Sequence, residues 1–541
     1  MRHAQARIAQ WMEDCKRNHP NCLGGAPMPL PTRVIAVGTE GAEPFLYETK
    51  GAMGQYTALS HCWGPPDKRP PTTVRANLSV RKRGIPIGEL SPTFLEAVQL
   101  TRALGIPYLW IDSLCIIQDD ERDWAREAAR MADVYTNAAL TISATGAADS
   151  KVGLLQPVSS RKLPPSMLLD TGPGEASEEL RRIYGRRTDL QETIDDLFAP
   201  HIVERSAARD NAEPLFSRAW TLQEWVLSRR VVHFATGELL WDCLGAEGCE
   251  CQGARLVPRQ GRHGIWRRVF EPGSEVDKNR LEDPEWVWRK TVMIFTSRQI
   301  TYDSDKLPAL SGVAKSLAAE RPADGGYIAG HWRSELPLSL LWRRGYMFGT
   351  KTPTSRPAKY HAPSWSWASV NGPIWYGDQH RGDICCKALD VSYELASPLN
   401  PYGALQSASL VVSGMIANVG GCVDIDHEDL TRGLRKPVDV MFISDIWEEG
   451  MARTTQDVVF LLVLSEWDSY SRELRCDGLA LLAADSVGGV DRFTRVGKLS
   501  LTVGPRTGAE KKWRKSIKSK AELDEIWMAE FRASERTIII I

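Results

Sequence analysis

The chain is 541 residues long and carries 67 basic against 68 acidic side chains, a formal net charge of -1. That length exceeds what one hydrophobic core usually serves and predicts two or three domains, while the balanced charge supplies no field to draw the protein to nucleic acid or to an anionic membrane. Eleven cysteines without a framework spacing, and an N-terminus broken by charges rather than opened by an apolar leader, predict a cytoplasmic protein with reduced thiols.

Residues 1–55 form an opening segment with a short helix at 8–15, followed by a Pro- and Gly-rich stretch. Tyr56 to Cys62 (YTALSHC) predicts a strand that ends in the turn Trp63, Gly64, Pro65, Pro66. Ser91 and Pro92 read as N-cap and first turn of a helix carrying Phe94, Leu95, Val98 and Leu104. The run Tyr108, Leu109, Trp110, Ile111 predicts a buried strand with Asp112 at its carboxyl end, where open parallel sheets place their ligand crevices. An acidic loop of Asp119, Asp120 and Glu121 leads into a helix whose Trp124, Ala128, Met131 and Tyr135 make one apolar stripe, and residues 139–144 predict the next strand. Two strands joined by a helical crossover imply parallel pairing. Residues 156–213 are charged and weakly periodic, with a short helix expected near 178–184, and read as a variable insertion. A helix at 220–227 and a strand at 231–234 then close the domain.

Farther along, residues 286–295 and 307–318 predict helices within a mixed region spanning 235–400. The region 401–541 is β-rich, with strands expected at 409–417, 458–464, 479–483, 499–503 and 537–541. The longest apolar run, residues 458–464, is far short of the roughly 20 residues that span a bilayer. No fixed-period repeat is present.

Three segments together resemble the fungal heterokaryon incompatibility (HET) domain: YTALSHCWG at 56–64, LWIDSLCIIQDDERDW through MADVYTNA at 109–138, and SRAWTLQEWVLSRRVVHF at 217–234. The opening with Cys15, His19 and Cys22, the stretch 300–314 and APSWSWASV at 362–370 resemble segments that accompany HET domains. The resemblance implies a HET domain at 56–234 in a cytoplasmic fungal protein of nonself recognition that promotes programmed cell death. Its implied partners are other incompatibility or NOD-like signalling proteins, or further copies of itself. A second similarity is to TIR domains, which implies a flavodoxin-like parallel sheet flanked by helices. There ALSHCWG resembles the first strand and loop, and SRAWTLQE resembles the helix motif that carries the catalytic Glu. On that match Glu224 is the catalytic residue of an NAD glycohydrolase, with Ser60, Trp63, Gly64, Asp112 and Trp220 as substrate-binding residues. Thr221 stands where Cys is usual and Trp63 where plant TIR domains carry Arg. No cofactor is implied; NAD is the candidate substrate.

Each candidate has a plainer alternative. Glu224 would stabilise oxocarbenium charge on a ribose, or pair with Arg218, Arg229 or Arg230. Asp112 would hold ribose or a cation, or cap the acidic turn. His61 with Cys62 or Cys115 would form a thiol nucleophile, or the cysteines are simply buried. Cys15, His19 and Cys22 would bind zinc with a fourth ligand from Cys243, Cys249 or Cys251, or pack as thiols, and the spacing, unlike that of a standard finger, leads to the expectation of no metal. Trp365 and Trp367 would line an aromatic surface or fill the core. The run Arg81, Lys82, Arg83 would touch phosphate or lie in a solvated turn. Against catalysis stands a noncatalytic signalling module that self-associates through exposed aromatic surface such as Trp225.

Overall fold

In the computed structural model the described residues are 2–22, 26–155, 167–169, 183–185, 213–236, 238–250, 256–258, 284–319, 326–345, 354–377, 382–418, 438–445, 458–468, 473–484, 491–503 and 533–541. The chain divides into two compact units, Met1–Val287 and Trp288–Ile541.

The first unit is built on a nine-stranded sheet. Its strands are β1 (Arg33–Ala36), β2 (Phe45–Glu48), β3 (Tyr56–Ser60), β4 (Tyr108–Trp110), β5 (Leu140–Ser143), β6 (Arg230–Phe234), β7 (Leu239–Cys243), β8 (Ala246–Cys249) and β9 (Val257–Pro258), in spatial order β9-β8-β7-β6-β5-β3-β4-β1-β2. The four central strands β6-β5-β3-β4 run parallel. β1 is antiparallel to β4, and β7 to β6, so the sheet as a whole is mixed. β3, β5 and β6 are buried along their whole length, as strands covered on both faces must be, and the polar side chains they carry, Thr57, Thr141, Arg230 and His233 among them, are buried with the apolar ones. Between β3 and β4 runs α2 (Pro92–Ala103), preceded at the N-terminus of the chain by α1 (Arg2–Asn18). α2 buries Phe94, Ala97, Val98 and Thr101 at three- to four-residue spacing, with Pro92 in its first turn, although the Ser91 side chain makes no capping bond.

The crossover from β4 to β5 departs from the sequence reading in two ways. The two strands are parallel but not neighbours, because β3 lies between them. The single helix expected after the acidic loop is also two, α3 (Glu121–Ala128) and α4 (Met131–Asn137), with a short helix Asp112–Cys115 ahead of the loop. α3 turns Asp123 and Glu127 inward and leaves Trp124 37% exposed, so Trp124 is no part of a buried stripe. The cause is Arg33 on β1, a buried cation whose guanidinium pairs with Asp123, while the Ile117 N–H donates to the same carboxylate at 2.9 Å. A buried Arg demands a carboxylate on the helix face that covers it. α4 then presents Met131, Val134 and Tyr135 to the core, as expected.

Of the insertion, Met167–Leu169 and Ile183–Gly185 form an antiparallel pair. Ile183 and Tyr184 are therefore strand residues, as a branched and an aromatic side chain favour, and the rest of the helix expected there lies outside the described residues. The helix expected at 220–227 is α5 (Thr221–Val226), and the sheet continues past Phe234 through β7, β8 and β9. Cys249 is disulfide-bonded, against the expectation of thiols throughout. Arg81 is buried and donates to the Thr72 carbonyl at 3.2 Å, and Lys82 pairs with Glu48 at 2.6 Å, so those two cations are engaged within the protein.

The second unit follows the expected β-rich pattern. After α6 (Pro284–Thr296) and α7 (Pro308–Ala319) come β10 (Asp383–Ile384), β11 (Cys386–Leu395), β12 (Leu405–Asn418), β13 (Val438–Ser444), β14 (Val458–Asp468), β15 (Glu473–Ala483), β16 (Arg492–Val503) and β17 (Ser534–Ile540). Their order is β10-β14-β15-β16-β17-β12-β11, with β13 on β16 and a further pairing of β14 with β12. All pairings are antiparallel except β16 with β17. Trp365 and Trp367 are wholly buried, and Trp367 begins a 3-10 turn rather than continuing a strand, so both are core residues. No helix among the described residues is long and apolar enough to cross a membrane.

Candidate functional site

β3 delivers its last residue, Ser60, to the carboxyl end of the parallel strands, in register with Ser143 at the end of β5. The segment that leaves β3 then meets both carboxylates singled out from the sequence. Ser60 Oγ donates to Glu224 Oε2 at 2.5 Å. Three residues on, the Trp63 indole Nε1 donates to Asp112 Oδ2 at 2.7 Å, and His61 Nδ1 lies 3.7 Å from Asp112 Oδ1. Residues 164 positions apart in the chain thus share one rim.

Gly64 makes this turn feasible. Its φ is +73°, and a Cβ there would stand 2.6 Å from Asp149 Cβ, so only glycine lets the chain pass Asp149 while aiming the Trp63 indole at Asp112. Asp112 Oδ1 accepts the Ser113 N–H at 2.6 Å, at the start of a short helix Asp112–Cys115, while the acidic turn is capped by Asp120, which accepts from the Arg122 and Asp123 N–H groups. The Asp112 side chain stays 25% exposed, whereas Glu224 is 7% exposed. The rim therefore offers one carboxylate toward solvent and holds the other beneath it.

Glu224 sits on α5 with its hydroxyl partner Ser60 in front. Burial pushes it up to about 7; Ser60 and Arg218 oppose the rise and the nearby Asp112 adds to it. The Tyr135 hydroxyl stands beside Glu224 and donates to the Leu59 carbonyl at 3.3 Å. The sequence reading took Tyr135 only as an apolar stripe residue; the signal was a hydroxyl on an otherwise greasy face. Arg218 Nη1 donates to the His61 carbonyl at 2.7 Å, tying α5's approach to the same loop. Burial pulls His61 down to about 4, against the pull of Asp112, so its contact with Asp112 is made by a neutral imidazole at neutral pH.

Trp220 precedes α5 and packs, partly buried, against the core of the unit. Thr221, in the position where the TIR motif has Cys, donates to the Leu215 and Arg218 carbonyls at 2.9 and 2.8 Å. Trp225 is 6% exposed and its indole donates to Asp242 at 2.7 Å, so it is no part of an exposed docking surface. The reason is α5's position against the sheet, which buries every residue of that helix. Burial raises Cys62 to about 11 and Cys115 to about 12, which favours the neutral thiol in both and fits the plain-packing alternative.

Residues 56–224 match the family model described as Heterokaryon incompatibility protein (HET). This chain carries a HET domain. No curated protein and no solved structure matches the chain. The HET match starts at Tyr56, the first residue of β3, and ends on Glu224, so every side chain of the rim falls inside it. Cys15 and Cys22 lie ahead of the HET domain and are brought together with Cys243 from β7, and His19 lies against Cys243 alone at 3.4 Å; Cys251 lies outside the described residues. The second unit holds an open cavity of about 680 Å³ lined by Arg356, Lys359, His361, Tyr393 and Arg492 among others, none of them a residue singled out from the sequence.

Proposed function

We propose that this HET-domain protein is a cytoplasmic effector of fungal nonself recognition and programmed cell death, and that the rim at the end of β3 hydrolyses NAD. One observation carries the reading: Glu224 and Asp112 meet the same four-residue segment, 60–63, at the carboxyl end of a parallel sheet. The order of the parallel strands supports it. Numbered by their succession in the chain, β3, β4, β5 and β6 lie 2-1-3-4, the order of flavodoxin-like sheets, whose ligands sit outside the carboxyl ends where the strand order reverses. That point lies between β3 and β5, at Ser60 and Ser143.

The chemistry asked of the site is modest. The bond from ribose C1′ to the nicotinamide nitrogen breaks with its electron pair going to nicotinamide, and positive charge gathers on the ribose. Ionised Glu224 stabilises that charge, Asp112 at the open face orients the ribose hydroxyls, and water adds to C1′ with release of one proton. The products are nicotinamide and ADP-ribose. Because Glu224 gains its charge only near pH 7, activity rises with pH through that range.

The test is nicotinamide release from NAD by the full chain and by Glu224→Gln. A loss on the order of a hundredfold or more is expected for a group that faces developing charge. Unchanged turnover in a folded variant would remove the enzyme. Cell death that survives Glu224→Gln would leave the HET domain acting by association alone.

A further inference from the structure

α1 ends beside β7, where Trp11 and Trp241 meet at a ring separation of 6.0 Å. At this junction Cys15 in the last turns of α1, Cys22 in the 3-10 turn Pro20–Cys22 and Cys243 at the end of β7 bring their sulfurs within 4.8 Å of one another. All three are buried and none sits in a disulfide. His19 Nδ1 lies 3.4 Å from Cys243 Sγ. Thiols that only fill space have no reason to converge on one point.

Two further features suit a metal at this junction. The buried Arg230 aims its Nε at Cys15 Sγ, 3.1 Å away, a charged donor suited to an anionic sulfur. At Gly245 a Cβ would fall 2.7 Å from His19 Cδ2, so the chain makes room for the imidazole beside Cys243. We propose that Cys15, His19, Cys22 and Cys243 bind one zinc ion as a closed tetrahedral site. Sulfurs about 2.3 Å from such an ion stand about 3.8 Å apart, and a histidine nitrogen about 3.6 Å from each sulfur. The 3.4 Å contact matches one edge of this frame and the three sulfurs, within 4.8 Å of one another, form its face; binding closes the sulfurs onto the ion and turns His19 in from beside Cys243. Three thiolates leave the site with one net negative charge, which Arg230 offsets, and three thiol protons leave as the ion enters. With four protein ligands there is no open position for water, so the ion is structural: it fastens the helix ahead of the HET domain to the strand that follows it. The site is independent of the NAD reading.

The test uses the full chain, purified without chelators, with zinc counted by plasma mass spectrometry. About one zinc per chain is expected, falling below about a tenth in Cys22→Ser and Cys243→Ser. Replacing zinc with cobalt(II) in the wild-type chain should give thiolate charge-transfer and tetrahedral ligand-field bands, and His19→Cys should keep the metal and move those bands toward the four-sulfur pattern. These wild-type readings stand even where a variant fails to fold. A folded wild-type chain that carries no zinc and gives no cobalt spectrum overturns the proposal, as does a mapped disulfide among the three cysteines. A spectrum unchanged in His19→Ala would remove His19 from the site.

Discussion

Two buried titratable groups of the rim pull stability in opposite directions with pH. Glu224 is raised from 4.5 to about 7, so the folded chain keeps a proton that the unfolded chain gives up. Its contribution is therefore fully present below pH 4.5 and lost as pH rises through 7, on the order of 3 kcal/mol at about 1.4 kcal/mol per pH unit. His61 is lowered from 6.5 to about 4, and its contribution is present above pH 6.5 and lost as pH falls through 4. Between pH 4.5 and 6.5 the slopes oppose one another. Urea unfolding of Glu224→Gln across this range should therefore show stability, relative to wild type, that improves steadily as pH rises toward 7. His61→Asn should show the reverse trend, gaining on wild type as pH falls. A flat difference for either variant would mean that the side chain is solvated, contrary to its burial.

At the scale of elements, the turn after β3 decides whether the rim exists. Gly64 and Gly41 both have positive φ, +73° and +83°, but only at Gly64 would a Cβ collide with a neighbour. Gly41→Ala should cost about 1 kcal/mol from backbone strain alone. Gly64→Ala should cost roughly 1–3 kcal/mol more, because Asp149 or the turn must move. Equal melting-temperature losses in the two variants would show that Asp149 yields freely. β4 was legible as an unbroken apolar run, YLW, and β3, β5 and β6 through their branched, aromatic and threonine content, which suits strands buried on both faces. Asp112 was legible as the first polar residue after such a run. The inward face of α3 was not, because Asp123 and Glu127 read as surface residues until Arg33 is known to lie opposite them. β7 was missed for a similar reason: LLWDC carries Asp242 into the interior, where the Trp225 indole satisfies it. The pairing of Ser60 with Glu224 came into reach only through the likeness of two segments to known motifs, since no local pattern reports a contact across 164 residues.

For the molecule as a whole, the division into Met1–Val287 and Trp288–Ile541 predicts that damage to one core stays in it. Arg495, fully buried on β16, offers a sharp way to do that damage. It pairs with Asp445 through Nε and Nη2, both at 3.0 Å, donates to the Leu340 and Trp342 carbonyls, and lies 3.4 Å over the Trp342 ring. Arg495→Met removes every donor at once and leaves Asp445 with Arg356, 3.3 Å away, as a partner on the edge of the cluster. Breaking a buried pair in this way costs about 3–5 kcal/mol, much of it from the stranded carboxylate and carbonyls. Hydrogen exchange should therefore speed up across β14, β15 and β16 while the amides of β3, β4 and β5 keep their protection. Adding Asp445→Asn should recover part of the loss by discharging the stranded carboxylate. If exchange rises equally in both sheets, the two units unfold as one, and stability measured on the rim of the HET domain reports on the entire chain.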